Sequence, residues 1–294
     1  MSGTSSPRQD PGPQRPDRPR AGVVIPAHNE EQVIARTLSR LLAGAEPGDL
    51  AVVVAANACT DGTVGLARGF AGVDVLDLPA PGKPAALAAG DTRLDVFPRI
   101  YLDADVDLDT ASALALADRL RAGDMLAAAP RRVLDLSGCS WPVRAYYRMW
   151  EQLPSVQQGL FGRGAIAVSE AGHAALNGHA GVVNDDGRAD ALLRERSVVV
   201  PQARVSVRCP RTTAALLRRR ARTARGNTEL RRLGTGATST ADTVREVVRI
   251  VLARPRLLPA AVVFAVLTVA GRFVGRRQRR RGSTAWGRDD SSRD

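Results

Sequence analysis

From Ala21 onward one unit recurs: a short apolar run, a polar or glycine-bearing turn, then a stretch with helical spacing. "AGVVIPA" leads into "HNEEQVIARTLSRLL", where Val33, Ile34, Leu38, Leu41 and Leu42 form a helical stripe and Asn29 is the expected N-cap. "LAVVVAAN" closes in "ACTDGT" and a short helix from Thr63. "VDVLDL" precedes the glycine turn and small-residue helix of "PAPGKPAALAAG", and "RIYLDADV" is the fourth strand. Strands alternating with helices at this pitch build an α/β domain around a largely parallel sheet. Ligands of such sheets sit beyond the carboxyl ends of the strands. "PAHNE", "NACTDG" and "DADVD" all fall there, so they are expected to line one crevice.

The run "YLDADVDLD" sets the chemistry of that crevice. Asp103, Asp105, Asp107 and Asp109 stand two apart. In extended chain, side chains two apart share a face at roughly 6.6 Å. Like charges so placed repel and lose hydration, which calls for a cation. Close carboxylates prefer a hard divalent ion, Mg²⁺ or Mn²⁺, which keeps waters and bridges to phosphate oxygens. A lysine after a glycine, Gly82-Lys83, belongs to the same crevice. Metal plus lysine suits a diphosphate leaving group.

"VVIPAHNEE", "VVVAANACTDGT", "GKPAALAAG" and "YLDADVDLD", in that order, resemble the nucleotide-binding half of a family-two glycosyltransferase with the GT-A fold. The likeness covers about residues 21–230; any one motif is weak, and four in order are specific. It implies a Rossmann-like mixed sheet flanked by helices. It also implies that Pro26, Asn29 and Glu30 line a nucleoside pocket and that Asn57 and Asp61 serve the second strand end. Lys83 would approach the diphosphate or shape the pocket. Asp103 and Asp105 would be the D-x-D metal pair, with Asp105 the more direct ligand, and Asp107 and Asp109 would be solvated. The family commonly ends its second strand in an acidic pair that contacts the base. Ala56 stands at the first of those positions, so the base is left open. No Q-x-x-R-W motif occurs, which implies addition of one sugar rather than a polymer.

Inverting members need a general base, and "NDDG" fits in place and character. Asp186 is the expected base and Asp185 the neighbour whose charge raises its pKa. The same residues would also serve as a helix N-cap. Arg218, Arg222 and Arg225 share a helical face, which reads as a solvated face, a diphosphate clamp with Arg222 on the donor, or a lipid-phosphate contact. His173 and His179 lack partners at metal-ligand spacing and read as structural or exposed.

Beyond the domain the texture changes. "TADTVREVVRIVLARPRLLPAAVVFAVLTVAGRFVGRRQRRR" opens with an amphipathic helix, continues in an apolar stretch and ends in arginines. Expected divisions are a disordered leader over 1–20, the transferase domain over 21–233, a membrane-associating segment over 234–275 and a basic disordered tail over 276–294. Only 15 residues separate Arg256 from Arg272, roughly 22 Å of helix against a hydrocarbon core of about 30 Å. Arginines at both ends favour an interfacial or re-entrant anchor on the cytoplasmic face; a helix packed in the protein's own core is the alternative.

Lys+Arg 42 against Asp+Glu 30 gives a net charge of +12, which suits polyanionic partners. No nucleic-acid-reading module is recognisable, so none is expected as a partner. The three cysteines show no C-x-x-C spacing, in keeping with a reducing cytoplasm. The expected partners are a nucleotide diphosphate sugar, a hydroxyl acceptor (a lipid-linked one would fit) and an anionic membrane. An inactive nucleotide-binding membrane scaffold of the same fold is the competing reading.

Overall fold

The computed structural model describes residues 18–160, 162–177, 192–221 and 240–280. Among the described residues eight strands form one sheet in the order β3-β2-β1-β4-β7-β6-β8-β5. They are β1 (Ala21–Ala27), β2 (Leu50–Asn57), β3 (Val73–Leu78), β4 (Arg99–Leu102), β5 (Asp107–Leu108), β6 (Ala127–Asp135), β7 (Ala165–Val168) and β8 (Ser197–Arg208). β1, β2, β3 and β4 pair in parallel. β7 runs antiparallel to both β4 and β6, β8 lies parallel to β6, and β5 pairs antiparallel with β8. The sheet is therefore mixed, with the parallel half positioning the strand ends.

Every residue of β1 is buried, as expected for a central parallel strand covered on both faces. The two-residue period divides its side chains. Val23 and Ile25 join Ile100 and Leu102 under α1 (Ile34–Leu42) and α4 (Thr110–Arg121). Val24 and Tyr101 point to the other face, toward Leu87 of α3 (Lys83–Arg93) and Leu176 of α7 (Glu170–Asn177). α2 (Thr63–Arg68) follows β2 and packs along β3.

A separate core lies at the C-terminal side. It joins α5 (Trp141–Trp150), which precedes the short α6 (Pro154–Gln158), to the helix α8 over 213–221 and to α10 (Leu258–Arg280). Tyr146 stacks on Phe264 with ring centroids 5.1 Å apart. α9 (Thr240–Ala253) adds Val247, Ile250 and Val251 to the edge of that core.

One sequence expectation, the cap of α1, is corrected by the fold, and two element bounds are worth noting. Arg20, in the span read as leader, meets Asp118 at 3.0 Å and Asp49 at 3.5 Å through its guanidinium, tying the start of β1 to α4. Asn29 does not cap α1, which begins at Ile34 after a turn. At the other end, α10 continues as helix past 275 to Arg280.

Candidate active site at the strand ends

The chain leaves β1 at Ala27, and the next four residues are fastened to the loop after β2. His28 Nδ1 donates to Asn57 O at 2.6 Å, which places the imidazole proton on Nδ1. Asn29 takes a positive φ of 54°, and its Oδ1 accepts from the Thr60 amide at 2.7 Å. Its Nδ2 donates to Thr60 Oγ1. Asparagine tolerates this left-handed backbone better than most residues. The Glu30 amide donates to Thr63 Oγ1 at 2.7 Å. Asp61 accepts from the amides of Glu31 and Thr63 and from the Thr63 hydroxyl. Partial burial pushes the Asp61 carboxyl upward, but these donors outweigh it and hold the pKa below the usual value.

Asn57 is 4% exposed, and both ends of its amide are engaged. Nδ2 donates to Ala27 O at 2.8 Å, while Oδ1 accepts from the Gly82 amide at 3.0 Å. One side chain thus fixes the ends of β1 and β2 and the start of α3. Pro26 is buried within β1, in register with Ala55. Pro26 and Asn57 lie within the ends of β1 and β2, whereas Asn29, Glu30 and Asp61 lie in the loops that follow those strands.

The acidic run is arranged differently from the expectation of one face. β4 ends at Leu102, and residues 103–106 form a turn. The Asp103 amide donates to Gly164 O at 2.7 Å, and the Val106 amide returns to Asp103 O at 3.2 Å. Asp103 Oδ1 accepts from Lys83 Nζ at 2.6 Å, and Asp105 is exposed. Asp107, expected to be solvated, is ion-paired with Arg36 at 3.0 Å. Asp109, expected likewise, accepts from the Ser112 amide at 2.8 Å and caps α4. Arg36 and the start of α4 thus engage Asp107 and Asp109, leaving Asp103 and Asp105 in the turn after β4.

Gly164 allows that turn to close. Its φ is +67°, and a Cβ there would stand 2.3 Å from Val106 Cγ2 and 3.3 Å from Asp103 Oδ2. Arg163, 3% exposed, holds the same loop by donating to the carbonyls of Gly159, Pro130 and Gln157 at 2.7–2.9 Å. Beside it, Arg132 lies over the Trp150 ring at 4.5 Å. Burial, with Arg163 and Arg219 nearby, lowers the Arg132 pKa to about 10. His28, which reads in the sequence as a spacer within P-x-x-N-E, instead ties the two loops together; Arg163 and Gly164 escaped the sequence reading, with the G-R-G spacing as their one local signal.

Among the described residues no group of three or more His, Cys, Asp or Glu side chains forms a metal-binding cluster. The donor set on offer is the Asp103 and Asp105 pair. Two carboxylates with an adjacent lysine fit a hard Mg²⁺ or Mn²⁺ whose other ligands are waters and diphosphate oxygens. Asp185, Asp186 and Arg222 lie outside the described residues, as do Arg225 and His179. Arg218 is exposed on α8.

Comparison with known proteins accords with this geometry. Residues 22–166 match the family model described as Glycosyl transferase family 2. A mannosyltransferase from Pyrobaculum calidifontis, solved with GDP-Man and Mn²⁺, is similar at TM-score 0.55 and 19% identity. That match covers 92% of this chain and 81% of the other. A glucosyl-3-phosphoglycerate synthase from Mycobacterium tuberculosis, solved with Mn²⁺, UDP-glucose and phosphoglyceric acid, is similar at TM-score 0.50 and 20% identity. It covers 76% of this chain and 82% of the other. These likenesses establish the GT-A-like fold. No curated protein matches the sequence.

Proposed function

We propose that this chain, which belongs to glycosyl transferase family 2 through residues 22–166, adds one sugar, with inversion, from a nucleotide diphosphate donor to a hydroxyl acceptor. The observation that carries the reading is the Lys83–Asp103 ion pair, with Asp105 exposed two residues on, at the carboxyl ends of the parallel strands. The Mn²⁺ in the two solved relatives supports a divalent ion in this chain.

Asp105 and Asp103 would hold Mg²⁺ or Mn²⁺, which when bound offsets negative charge on the leaving diphosphate. Lys83 serves the same charge from the first turn of α3. Asn29, Glu30 and Asp61 border the nucleoside from the zipped loops, and Pro26 and Asn57 keep those loops in place. The acceptor oxygen attacks the anomeric carbon opposite the leaving group. The bond to the diphosphate breaks with its electron pair, and the hydroxyl proton passes to the Asp186 carboxylate, whose basicity Asp185 raises. Arg222 is assigned to the donor diphosphate. Support for Asp185, Asp186 and Arg222 is their order and spacing in the sequence.

The test is incubation of the purified enzyme with a panel of nucleotide sugars and Mn²⁺, with water as the surrogate hydroxyl acceptor, scoring release of nucleoside diphosphate and free sugar with wild type and with Asp105→Ala. Metal-dependent release that Asp105→Ala abolishes is expected. Release independent of both metal and Asp105 would contradict it.

A further inference from the structure

The C-terminal helices present an apolar face that stays exposed among the described residues. Pro255–Gly275 is long and apolar enough to cross a bilayer by length and composition. One side of it, however, is committed to the protein. Leu257, Ala260, Ala261, Phe264, Leu267 and Gly271 are buried. At Gly271 the approach to α8 is so close that a Cβ would stand 2.6 Å from Arg220 Cβ.

The opposite side is different. Leu258, Val262, Val266, Val269 and Phe273 recur at three- and four-residue spacing and are 54–66% exposed. Val244, Val248 and Leu252 repeat the spacing on α9 and are 50–76% exposed. Among the described residues twelve large hydrophobics are exposed, and eight of them lie on these two helices. That concentration marks a surface rather than scattered exposure.

Charge identifies the occupant. Residues 240–280 carry nine arginines against Asp242 and Glu246. Asp242 is paired with Arg245, and Glu246 accepts from the Ser155 hydroxyl. Arg245, Arg249, Arg254 and Arg256 are exposed beside the apolar positions. A second copy docking here in a two-fold arrangement would bring two such arginine sets together, whereas anionic headgroups complement them.

We infer that α9 and α10 form an in-plane membrane-docking surface that seats the domain on an anionic leaflet, with α10 lying in the interface rather than crossing it. A spanning helix would have to strip its buried side from α5 and α8. An interfacial helix keeps that side on the protein and gives the other to acyl chains, with arginines at headgroup level. The inference stands apart from the sugar-transfer reading, because it uses none of the crevice residues.

The test is sedimentation of the full chain with vesicles of phosphatidylcholine alone and of phosphatidylcholine mixed with phosphatidylglycerol. Binding is expected with the anionic vesicles, weakening with salt and transferring to fresh anionic vesicles on mixing. Val262→Glu/Val266→Glu should reduce it about tenfold or more at an unchanged melting temperature. Val244→Glu/Val248→Glu, on the neighbouring helix, supplies the same comparison should the first variant fold poorly. Wild type that stays in solution, or variants that bind like wild type, would overturn the inference. So would bound protein that never transfers, which marks a span. A dimer in ultracentrifugation that the same substitutions disperse would assign the face to a second copy instead.

Discussion

Lys83 Nζ stands 2.6 Å from Asp103 Oδ1, joining the first turn of α3 to the end of β4. Both side chains are about two-fifths exposed, so the pair adds little to stability. Its consequence is occupancy: the ammonium neutralises the carboxylate that the metal would use. Lys83→Met should therefore tighten Mn²⁺ binding to the nucleotide-free protein by about fivefold, the equivalent of about 1 kcal/mol. The same change should weaken nucleoside diphosphate binding, because it removes the lysine proposed to meet the phosphates. Calorimetric titration of metal alone, then of nucleotide with metal, reads both; weaker metal binding in the variant would refute the competition.

Asn57 is a structural keystone of the crevice. Asn57→Ala removes the bonds to Ala27 O and Gly82 N and leaves both groups without that partner. The expected cost is about 2–3 kcal/mol. Chemical denaturation should show a lower midpoint at an unchanged slope, and a midpoint within error of wild type would show that the amide is dispensable.

A buried network behind β4 gives the fold a pH limb. Arg99, 2% exposed, pairs with Asp91 at 2.9 Å. Tyr101 donates to Asp91, and His173 Nδ1 lies 2.9 Å from the Tyr101 hydroxyl. Burial lowers the His173 pKa, with Asp91 opposing and Arg99 assisting. The unfolded imidazole takes its proton at higher pH than the folded one. Stability from His173 is thus complete above the unfolded value near 6.5 and is lost as pH falls toward the folded value. His173→Gln should flatten stability between about pH 7 and pH 5, measured by denaturant titration across that range.

Asp186→Asn should lower the rate of nucleotide release by about 10²-fold or more, leaving nucleotide affinity unchanged, as removal of a general base does. Asp185→Asn should cost less, because the role proposed for it is to raise a neighbour's pKa. Rates measured beside binding separate the two. Equal losses in binding and rate would make Asp185 and Asp186 binding groups.

The parallel half of the sheet was legible because β1 and β2 are covered on both faces, so their sequences are nearly uninterrupted apolar runs. The two-residue spacing of Asp103 and Asp105 was plain in the sequence, but their surroundings were not. Alternation in "DADVDLD" suggested extended chain, yet pairing of the Asp103 amide with Gly164 turns the backbone there. Asp107 finds Arg36 across 71 residues, a partner no local pattern announces. In α10 both sides are apolar. Only contact with α5 and α8, a tertiary fact, divides the buried side from the exposed one.

The most direct test of the account is calorimetric titration of UDP, GDP and dTDP into the full chain, with and without Mn²⁺, using wild type and Asp105→Ala. One nucleotide should bind tightly, binding should need Mn²⁺, and Asp105→Ala should abolish the metal dependence. Equal binding with and without metal, or an Asp105→Ala variant that behaves like wild type, would contradict the assignment of Asp103 and Asp105 as the metal site of a sugar transferase.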